Sequence, residues 1–322
     1  MEEALLKLEP IERKLKKIDY TENDVGSVEL DKAHVYARYL LRLTGTVTVG
    51  VADATAVIGY APLSLLKKVR LILNGEDRIK SLEGKLHWIQ NKLDKAVAGE
   101  KVAPGLTIGA QVFSGALLVD FELPGYPSAK KYITRLNSAL LQGLSMEILF
   151  GDEEDLLTPD ATTTLVMSAC KVEINAVEYP DLEAQRVYSI FNESIKKLPV
   201  IAEDDDLHLP ITTKNQILQI TLLTVDNSID VDTLVNKVQA VVDGTDFRKT
   251  YDWYTLKERT KEFYGVAPET GVASLIFDID KDLSKALRLA GTGSFELVFD
   301  VNTPTGTSYI QALVREIIPY SG

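Results

Sequence analysis

Three histidines and one cysteine are the residues of this 322-residue chain that most readily bind metals or act as nucleophiles. His34, His87 and His208 are far apart in sequence, and no HxxxH or HExxH spacing connects any of them to a second ligand. The single Cys170 excludes an internal disulfide and a metal site built on several thiolates. We expect Cys170 to be a buried apolar side chain, and we expect no metal site and no cofactor.

Motifs of the common catalytic sites are missing as well. The sequence has no G-x-S-x-G elbow, no G-x-x-x-x-G-K-[ST] loop and no G-x-G-x-x-G fingerprint. Its 47 acidic residues leave room for a glycosidase-like pair of carboxylates. Glu147 and Glu296, however, occupy matching places in two copies of a repeated segment, which indicates a position of the fold and not a catalytic pair. The sequence therefore predicts no catalytic residue and a protein that is not an enzyme.

Aromatic residues could form a different kind of site. Trp88, Tyr251, Trp253 and Tyr254 are of the types that stack on sugars in β-sandwich lectins. The same types are also favoured in protein cores and at contacts between subunits. Both interpretations stay open at this point, and the second is favoured.

The composition is that of an ordinary folded protein, with 45% hydrophobic and 25% charged residues. The 35 basic and 47 acidic residues give a net charge of −12, which argues against a protein that mainly binds nucleic-acid phosphates. No run approaches the roughly 20 apolar residues that cross a bilayer, and the Glu- and Lys-rich N-terminus is unlike a secretory signal peptide. We expect the chain to be synthesised in the cytoplasm.

Residues 1–19 have the pattern of an amphipathic helical arm, because Ile11, Leu15 and Ile18 recur at i, i+4 and i+7. The residues around them are basic, namely Arg13, Lys14, Lys16 and Lys17. Such an arm could lie on an anionic membrane or against a neighbouring subunit. A helix packed on its own domain is an equally good interpretation.

Most of the remaining pattern is typical of β-strands. From about residue 41 apolar and small polar residues alternate, as in 44–51, which predicts a strand with one buried face. Further strands are predicted at 68–73, 116–123, 146–150, 163–177, 216–224, 237–242, 273–279, 295–301 and 309–318. Helical patterns are few, and the best of them cover residues 128–144 and 281–289. The predicted fold class is therefore all-β.

An internal repeat indicates the architecture. Residues 65–77 and 234–246 share the pattern L-x-x-K-V-x-x-[IV]-[LV]-[ND]-G-x-D without a gap. Each copy predicts a buried strand that ends in a tight turn, at Asn74 and Gly75 in the first copy and at Asp243 and Gly244 in the second. The later segments 145–150 and 294–299 also match and follow in the same order. Two tandem domains of like topology are the simplest explanation.

The repeat divides the chain into four parts. We predict an N-terminal amphipathic arm and lead-in at residues 1–40, a first β-sandwich at 41–180, a connector at 181–206 and a second β-sandwich at 207–322. Each sandwich is expected to have about eight strands, with one helix inserted before about the seventh. The connector is predicted to hold a short helix around residues 187–197. It ends in four acids, 203–206, which are more typical of a solvated linker than of a calcium site.

Two tandem eight-stranded sandwiches, each with an inserted helix and preceded by an N-terminal arm, resemble the double jelly-roll major capsid proteins of the adenovirus hexon and tailless, membrane-containing bacteriophage lineage. The resemblance covers residues 41–322, and the paired blocks 65–77 with 234–246 and 145–150 with 294–299 carry it. It implies a double jelly roll and a homotrimer of pseudo-hexagonal outline that tiles an icosahedral shell.

The resemblance also implies a location and partners. The location is the virion capsid, and the partners are neighbouring capsomers, minor capsid or vertex proteins, and an internal lipid membrane reached through the N-terminal arm. Direct sequence-specific binding to nucleic acid is not expected. The alternative function is that of a tandem β-sandwich carbohydrate-binding protein such as a spike or adhesin. A jelly-roll hydrolase is a weaker third interpretation, because no acid–base pair stands out.

Overall fold

The computed structural model of the chain describes residues 10–32, 34–95, 99–179, 189–211 and 215–319. Sixteen strands of five or more residues run through these ranges. Contacts within the chain divide it into two compact units, residues 1–191 with 320–322 and residues 192–319. The strand content confirms the all-β fold class predicted from the sequence.

The first unit contains eight of the longer strands. They are β1 (Ile11–Asp19), β2 (Val25–Glu29), β3 (Val35–Gly50), β4 (Leu66–Leu73), β5 (Asp77–Leu82), β6 (Gly109–Asp120), β7 (Leu144–Phe150) and β8 (Thr164–Tyr179). Apart from bridges of two residues, these strands form two antiparallel arrays within the unit. Their orders are β1-β8-β3-β6 and β2-β7-β4-β5.

The second unit is built from the other eight. They are β9 (Ser189–Val200), which begins just before the division, β10 (Asp204–Pro210), β11 (Gln216–Asp226), β12 (Val235–Val242), β13 (Asp246–Asp252), β14 (Val272–Ile276), β15 (Phe295–Val301) and β16 (Ser308–Pro319). Their orders within the unit are β9-β16-β11-β14 and β10-β15-β12-β13.

The two units have the same topology. Adding eight to each strand number of the first unit gives the strand order of the second. An order of 1-8-3-6 in one sheet and 2-7-4-5 in the other is that of a jelly roll, in which two Greek keys bring the first and last strands together. The chain is therefore a double jelly roll.

The long strand β3 shows how the sequence decides which side of a sheet is buried. Leu43, Val47 and Val49 are almost completely buried, whereas the threonines between them are partly or fully exposed. Gly45 lies on the buried side, where a Cβ would meet the Phe113 ring at 2.4 Å. Alternation at period two therefore sets the core face of this strand.

The second unit has its own hydrophobic core, to which Leu222, Val238 and Phe299 contribute fully buried side chains. Strand β11 is buried along almost its whole length, so its polar side chains need partners inside the protein. The Thr221 hydroxyl meets this need by a hydrogen bond of 2.9 Å with the Ser274 hydroxyl.

Each unit carries one 12-residue helix at the same point in its strand order. Helix α1 (Gly84–Lys95) follows β5, and helix α2 (Trp253–Tyr264) follows β13. In α2 the Asp252 carboxylate accepts a hydrogen bond from the Thr255 N–H at 2.9 Å, and Gly265, with a left-handed backbone, ends the helix. The prediction of one inserted helix per repeat is confirmed. Each helix lies between the fifth and sixth strands of its unit, however, and not directly before the seventh strand as predicted.

The helix predicted at residues 128–144 is wrong. Only one helical turn, Ser128–Lys131, is present, followed by short 3-10 turns. The Asn137 side chain accepts a hydrogen bond from the Ala139 N–H, and its backbone pairs with Val35 at the start of β3. A side chain that bonds to nearby backbone competes with a continuous helix.

The helix predicted at residues 281–289 is wrong for a similar reason. Asp280 and Lys281 have left-handed backbones, with φ of 60° and 55°, which a helix cannot include. The Asp282 carboxylate then accepts from the Ser284 N–H at 3.0 Å and begins a separate 3-10 turn.

The N-terminal arm is a strand and not a helix over the residues that the structure describes. β1 pairs with β8 along its length, and a bulge at Leu15 interrupts the pairing. Because the bulge shifts the alternation, Ile11, Leu15 and Ile18 imitate a helical spacing, although only Ile18 is buried. Residues 1–9 of the predicted arm lie outside the described residues.

The short helix predicted around residues 187–197 is also wrong, because the chain from Ser189 onward is strand β9. Ile190 and Phe191 are buried in succession, as in a strand that is covered on both faces. All four acids of residues 203–206 are exposed, and three of them begin strand β10. Residues 181–188 of the predicted connector lie outside the described part of the chain.

Gly84, the first residue of α1, tests how closely this helix packs on the first unit. A Cβ there would lie 2.1 Å from the Leu63 carbonyl oxygen, a backbone atom that cannot easily move aside. We expect Gly84→Ala to lower the free energy of unfolding by about 2–3 kcal/mol, measured by urea denaturation. In the comparison variant Gly244→Ala the added Cβ meets nothing within 4 Å, so only the strain of φ 72° remains, about 1 kcal/mol. Equal losses in both variants would contradict this packing.

Candidate functional site

The predicted turn residues lie in equivalent hairpins of the two units. Asn74 and Gly75 connect β4 to β5 with φ of 52° and 83°. Asp243 and Gly244 connect β12 to β13 with φ of 52° and 72°. Two successive left-handed residues are what favours an Asn-Gly or Asp-Gly pair at these points.

The first residue of each turn also binds a second segment. Asn74 Oδ1 accepts a hydrogen bond from the Gln142 N–H at 2.8 Å. Asp243 Oδ1 accepts from the N–H groups of Gly293 and Ser294 at 2.7 and 2.9 Å. Each side chain therefore ties its hairpin to the segment that leads into the seventh strand of its unit.

Two basic residues of β1 are held by acids of the neighbouring strand β8. Arg13 Nε lies 3.1 Å from a carboxylate oxygen of Glu178, and Lys14 Nζ lies 2.7 Å from one of Glu173. Hydrogen bonds from Lys14 and Lys171 lower the pKa of Glu173 to about 2. These ion pairs fasten β1 to the sheet, each with a modest contribution at a partly exposed position.

The other two basic residues of β1 face solvent. Lys16 is exposed, and Lys17 lies 2.9 Å from Asp19 on the same strand. β1 is the last strand of its array, and lysines on such an edge hinder pairing with a second chain. Of the four basic residues singled out from the sequence, Lys16 has no ion pair among the described residues and Lys17 pairs only within its own strand, so neither is used to fasten β1 to the sheet.

The outward side of the array β1-β8-β3-β6 has a patch without charged residues. In its middle, Thr46 pairs with Ser168 of β8 on one side and with Val112 of β6 on the other. We call this patch the uncharged face, and it consists of Thr44, Thr46, Thr48, Ala110, Val112, Ser114, Val166 and Ser168. Val112 is 70% exposed and Val166 is 59% exposed. The two valines lie on the strands that flank β3, with its threonines between them, and an exposed face of this kind without charge is a candidate contact surface.

The uncharged face was not predicted from the sequence. The sequence signal for this face lies in the segment 44–49, T-G-T-V-T-V. Every second residue of the segment is glycine or valine, and these residues predict the buried side of the strand. The other half is threonine throughout, although 25% of the chain is charged and an exposed strand usually carries Lys or Glu.

The histidines and the cysteine have structural surroundings. His87 is buried, and its Nε2 lies 2.7 Å from the Leu118 carbonyl oxygen. Burial raises the pKa of the Cys170 thiol to about 12, which leaves it protonated and unreactive. Within the described ranges no group of three His, Cys, Asp or Glu side chains could hold a metal ion.

The two tryptophans do not form an open platform, although Tyr254 is 74% exposed. Trp88 and Trp253 are buried, each in the helix of its own unit. Trp88 Nε1 donates a hydrogen bond to the Gly99 carbonyl at 3.2 Å, and Trp253 Nε1 donates to Asp232 at 3.1 Å. Both indole rings therefore serve the packing of helix on sheet.

Strand orders, repeated turns and matching helices define the class of protein to which this chain belongs by fold, the double jelly roll. No protein-family profile matches the sequence, and no curated protein sequence matches it either. In the described part of the chain no helix is long and apolar enough to cross a membrane.

Solved structures match the chain over nearly its whole length. The major capsid protein of Sulfolobus turreted icosahedral virus has a TM-score of 0.77 at 14% identity, with 97% of both chains covered. The major capsid protein P2 of bacteriophage PM2 has a TM-score of 0.63 at 12% identity, covering 97% of this chain and 99% of that one. The PBCV-1 virus capsid has a TM-score of 0.67 at 10% identity, covering 97% and 94%. At these identities the likeness shows a shared fold.

The pair formed by His208 and Glu296 gives a pH-dependent prediction. His208 Nδ1 lies 2.9 Å from Glu296 and its Nε2 lies 3.2 Å from Asp206, and these two hydrogen bonds raise the pKa of His208. A raised folded-state pKa stabilises the protein below the unfolded-state value, about 6.5, and the effect is lost as pH rises through the folded-state value. We expect His208→Gln to lower Tm at about pH 5.5 and to leave it unchanged at about pH 9. A Tm difference that is the same at both pH values would rule this out.

Proposed function

We propose that this protein is a structural, non-enzymatic major capsid protein that assembles into homotrimers and then into an icosahedral shell. The observation that carries the proposal is the duplicated jelly roll. Two copies of one strand order fill the described part of the chain, and the solved structures that match it over nearly its whole length include viral capsid proteins. Three chains with two similar sandwiches each provide six similar blocks, which suits a pseudo-hexagonal unit.

The carbohydrate-binding alternative has less support. Its sequence basis is the set Trp88, Tyr251, Trp253 and Tyr254, in which both tryptophan rings are buried and Tyr254 is exposed. The matching solved structures, which are capsid proteins, also favour assembly over sugar binding.

The uncharged face is the surface that we assign to contact with a second copy of the chain. Each copy has a net charge of −12, so two copies repel each other at most orientations. The contact is least unfavourable where neither surface brings charge and where apolar side chains leave water. Stable assembly interfaces bury about 2,000 Å² or more, so this patch forms the centre of a larger contact.

The remaining parts of the proposal concern the shell. We place the protein in the virion capsid after synthesis in the host cytoplasm, with neighbouring capsomers and minor capsid or vertex proteins as partners. Lys16 and Lys17 of β1 contact either a neighbouring capsomer or an internal lipid membrane, because both are exposed and neither is used to hold β1 on its sheet.

The contact assigned to the uncharged face can be tested by adding charge to it. We expect Val112→Glu and Val166→Glu to convert trimers to smaller species in sedimentation velocity, because each buries an unpaired carboxylate in the contact. Ile201→Glu is the matched control, since Ile201 is 91% exposed and lies outside the face. Trimers that persist in both face variants would refute this contact but not the capsid role. A wild-type protein that stays monomeric and binds a glycan would refute the capsid role itself.

The partner of β1 can be tested with the double variant Lys16→Gln with Lys17→Gln. We expect trimers to remain, because the ion pairs of Arg13 and Lys14 still hold β1 on its sheet, while the yield of particles falls. Flotation with phosphatidylserine vesicles separates the two partners: weaker vesicle binding indicates the membrane, and unchanged binding indicates a neighbouring capsomer. Wild-type particle yield would exclude both. These point changes are cleaner than a deletion of residues 1–19, which removes strand β1 itself.

A further inference from the structure

A cavity of about 680 Å³ opens on the second unit beside β13, α2 and the segment after β14. Its walls carry three cations, Lys249, Arg259 and Lys281, and the aromatic rings of Tyr251 and Phe263. Small-molecule sites commonly have volumes of about 300–1,000 Å³ and combine apolar walls with a few charged groups. The cavity shares no residue with the uncharged face or with β1.

Lys249 has no carboxylate partner among the residues that the structure describes. Its half-buried ammonium group lies 5.5 Å from the ring centroid of Phe277 and 6.0 Å from that of Tyr251. Burial, together with the nearby charge of Arg259, lowers the pKa of Lys249. An anion in the cavity would relieve both effects.

The two carboxylates of the cavity wall, those of Glu262 and Asp280, do not neutralise Lys249, because each pairs with a different cation. Glu262 lies 3.0 Å from Arg259. Asp280 lies 2.7 Å from Lys285, which is outside the cavity lining. The local balance at Lys249 is therefore positive.

A second cavity of similar size in the same unit, about 710 Å³, provides a contrast. Its partly buried cation, Lys257, is held by both carboxylate oxygens of Asp232, at 2.8 and 2.7 Å. The chain itself compensates that charge, so this cavity gives no comparable reason to bind an anion.

The first repeat shows which chemical group fits beside this lysine. Lys80 of β5 corresponds to Lys249 of β13, because they pair with Leu71 and Ala240, which are equivalent positions of the repeat. Lys80 is fully buried, with its ammonium group 5.9 Å from the Phe121 centroid and 4.1 Å from the Phe191 centroid. Phe277 matches Phe121, because each begins the segment that follows the sixth strand. Tyr251 corresponds to Leu82 of the first repeat, so among the described residues no ring of the second repeat lies as close to Lys249 as Phe191 lies to Lys80.

We propose that this cavity binds a small aromatic anion, a molecule with a flat ring and one carboxylate or phosphate group. The anionic group neutralises Lys249, and the ring fills the space beside this lysine that the Phe191 ring fills beside Lys80, next to Tyr251 and Phe263. This binding is independent of the proposed capsid role, because it needs only the second unit's own residues.

The test is ligand-observed NMR on the full chain with benzoate as the probe, benzamide as its uncharged isostere and acetate as the anion without a ring. We expect saturable benzoate binding that weakens with salt, and weaker binding of the other two probes. Lys249→Gln should weaken benzoate binding by about tenfold or more. Arg248→Gln is the matched control, because Arg248 precedes Lys249 on β13, pairs with Asp246 and does not line the cavity.

The conservative variant Lys249→Arg should keep benzoate binding, since it keeps the charge. If Lys249→Gln does not fold, Arg259→Gln at an exposed site of the cavity wall replaces it and should weaken binding in the same direction. Benzoate and benzamide binding equally well would overturn the proposal. So would benzoate binding that is undetectable in the wild-type protein, or binding that is unchanged in the glutamine variants.

Discussion

The register of strand β3 is the constraint on which the first unit depends. β3 pairs with β8 on one side and β6 on the other, and its side chains alternate between the core and the outward side. A slip of one residue would turn Leu43 and Val47 outward and bring Thr44 and Thr46 into the core. The same register that buries the apolar core therefore creates the uncharged face. Gly45 reinforces it, because the Phe113 ring leaves no room for a side chain on the buried side.

Part of the positive charge of this acidic chain is neutralised within the fold. On β1 the edge-strand cations Arg13 and Lys14 are paired with acids of β8, which turns them into fasteners of the sheet. An acidic surface keeps copies apart in solution, so specific association has to use the surfaces where charge is missing or where a cation is free. The uncharged face is a surface of the first kind, and Lys249 is a cation of the second kind.

The sequence was informative where local chemistry decides the backbone. The Asn-Gly and Asp-Gly turns, the strands before them and the repeat were all readable, because positive φ and period-two burial leave direct traces. The positions of the helices were predicted wrongly. The recurring apolar residues of 128–144 form a more conspicuous helical pattern than the signals that mark the true helix α2. Those signals were present: Asp252 as a cap, Gly265 as a terminator, and Trp253 with Leu256 on one face. Contacts between distant strands, such as Arg13 with Glu178 or Thr46 with Val112, have no trace in a single sequence.

The two repeats differ in length where the uncharged face lies, and this difference argues that the face has a purpose. β3 has 16 residues and its counterpart β11 has 11, while β6 has 12 and β14 has 5. Ala37 and Leu218 are equivalent, because their carbonyls accept the N–H groups of Phe121 and Phe277. Counted from that match, the positions of the second unit that are equivalent to Thr46 and Thr48 lie beyond the end of β11 at Asp226. The first jelly roll thus extends its sheet by a stretch that the second manages without, and it makes the outward side of that stretch uncharged. The second unit shows that a jelly roll forms without this extension, which is why we assign the extension to contact with a second copy.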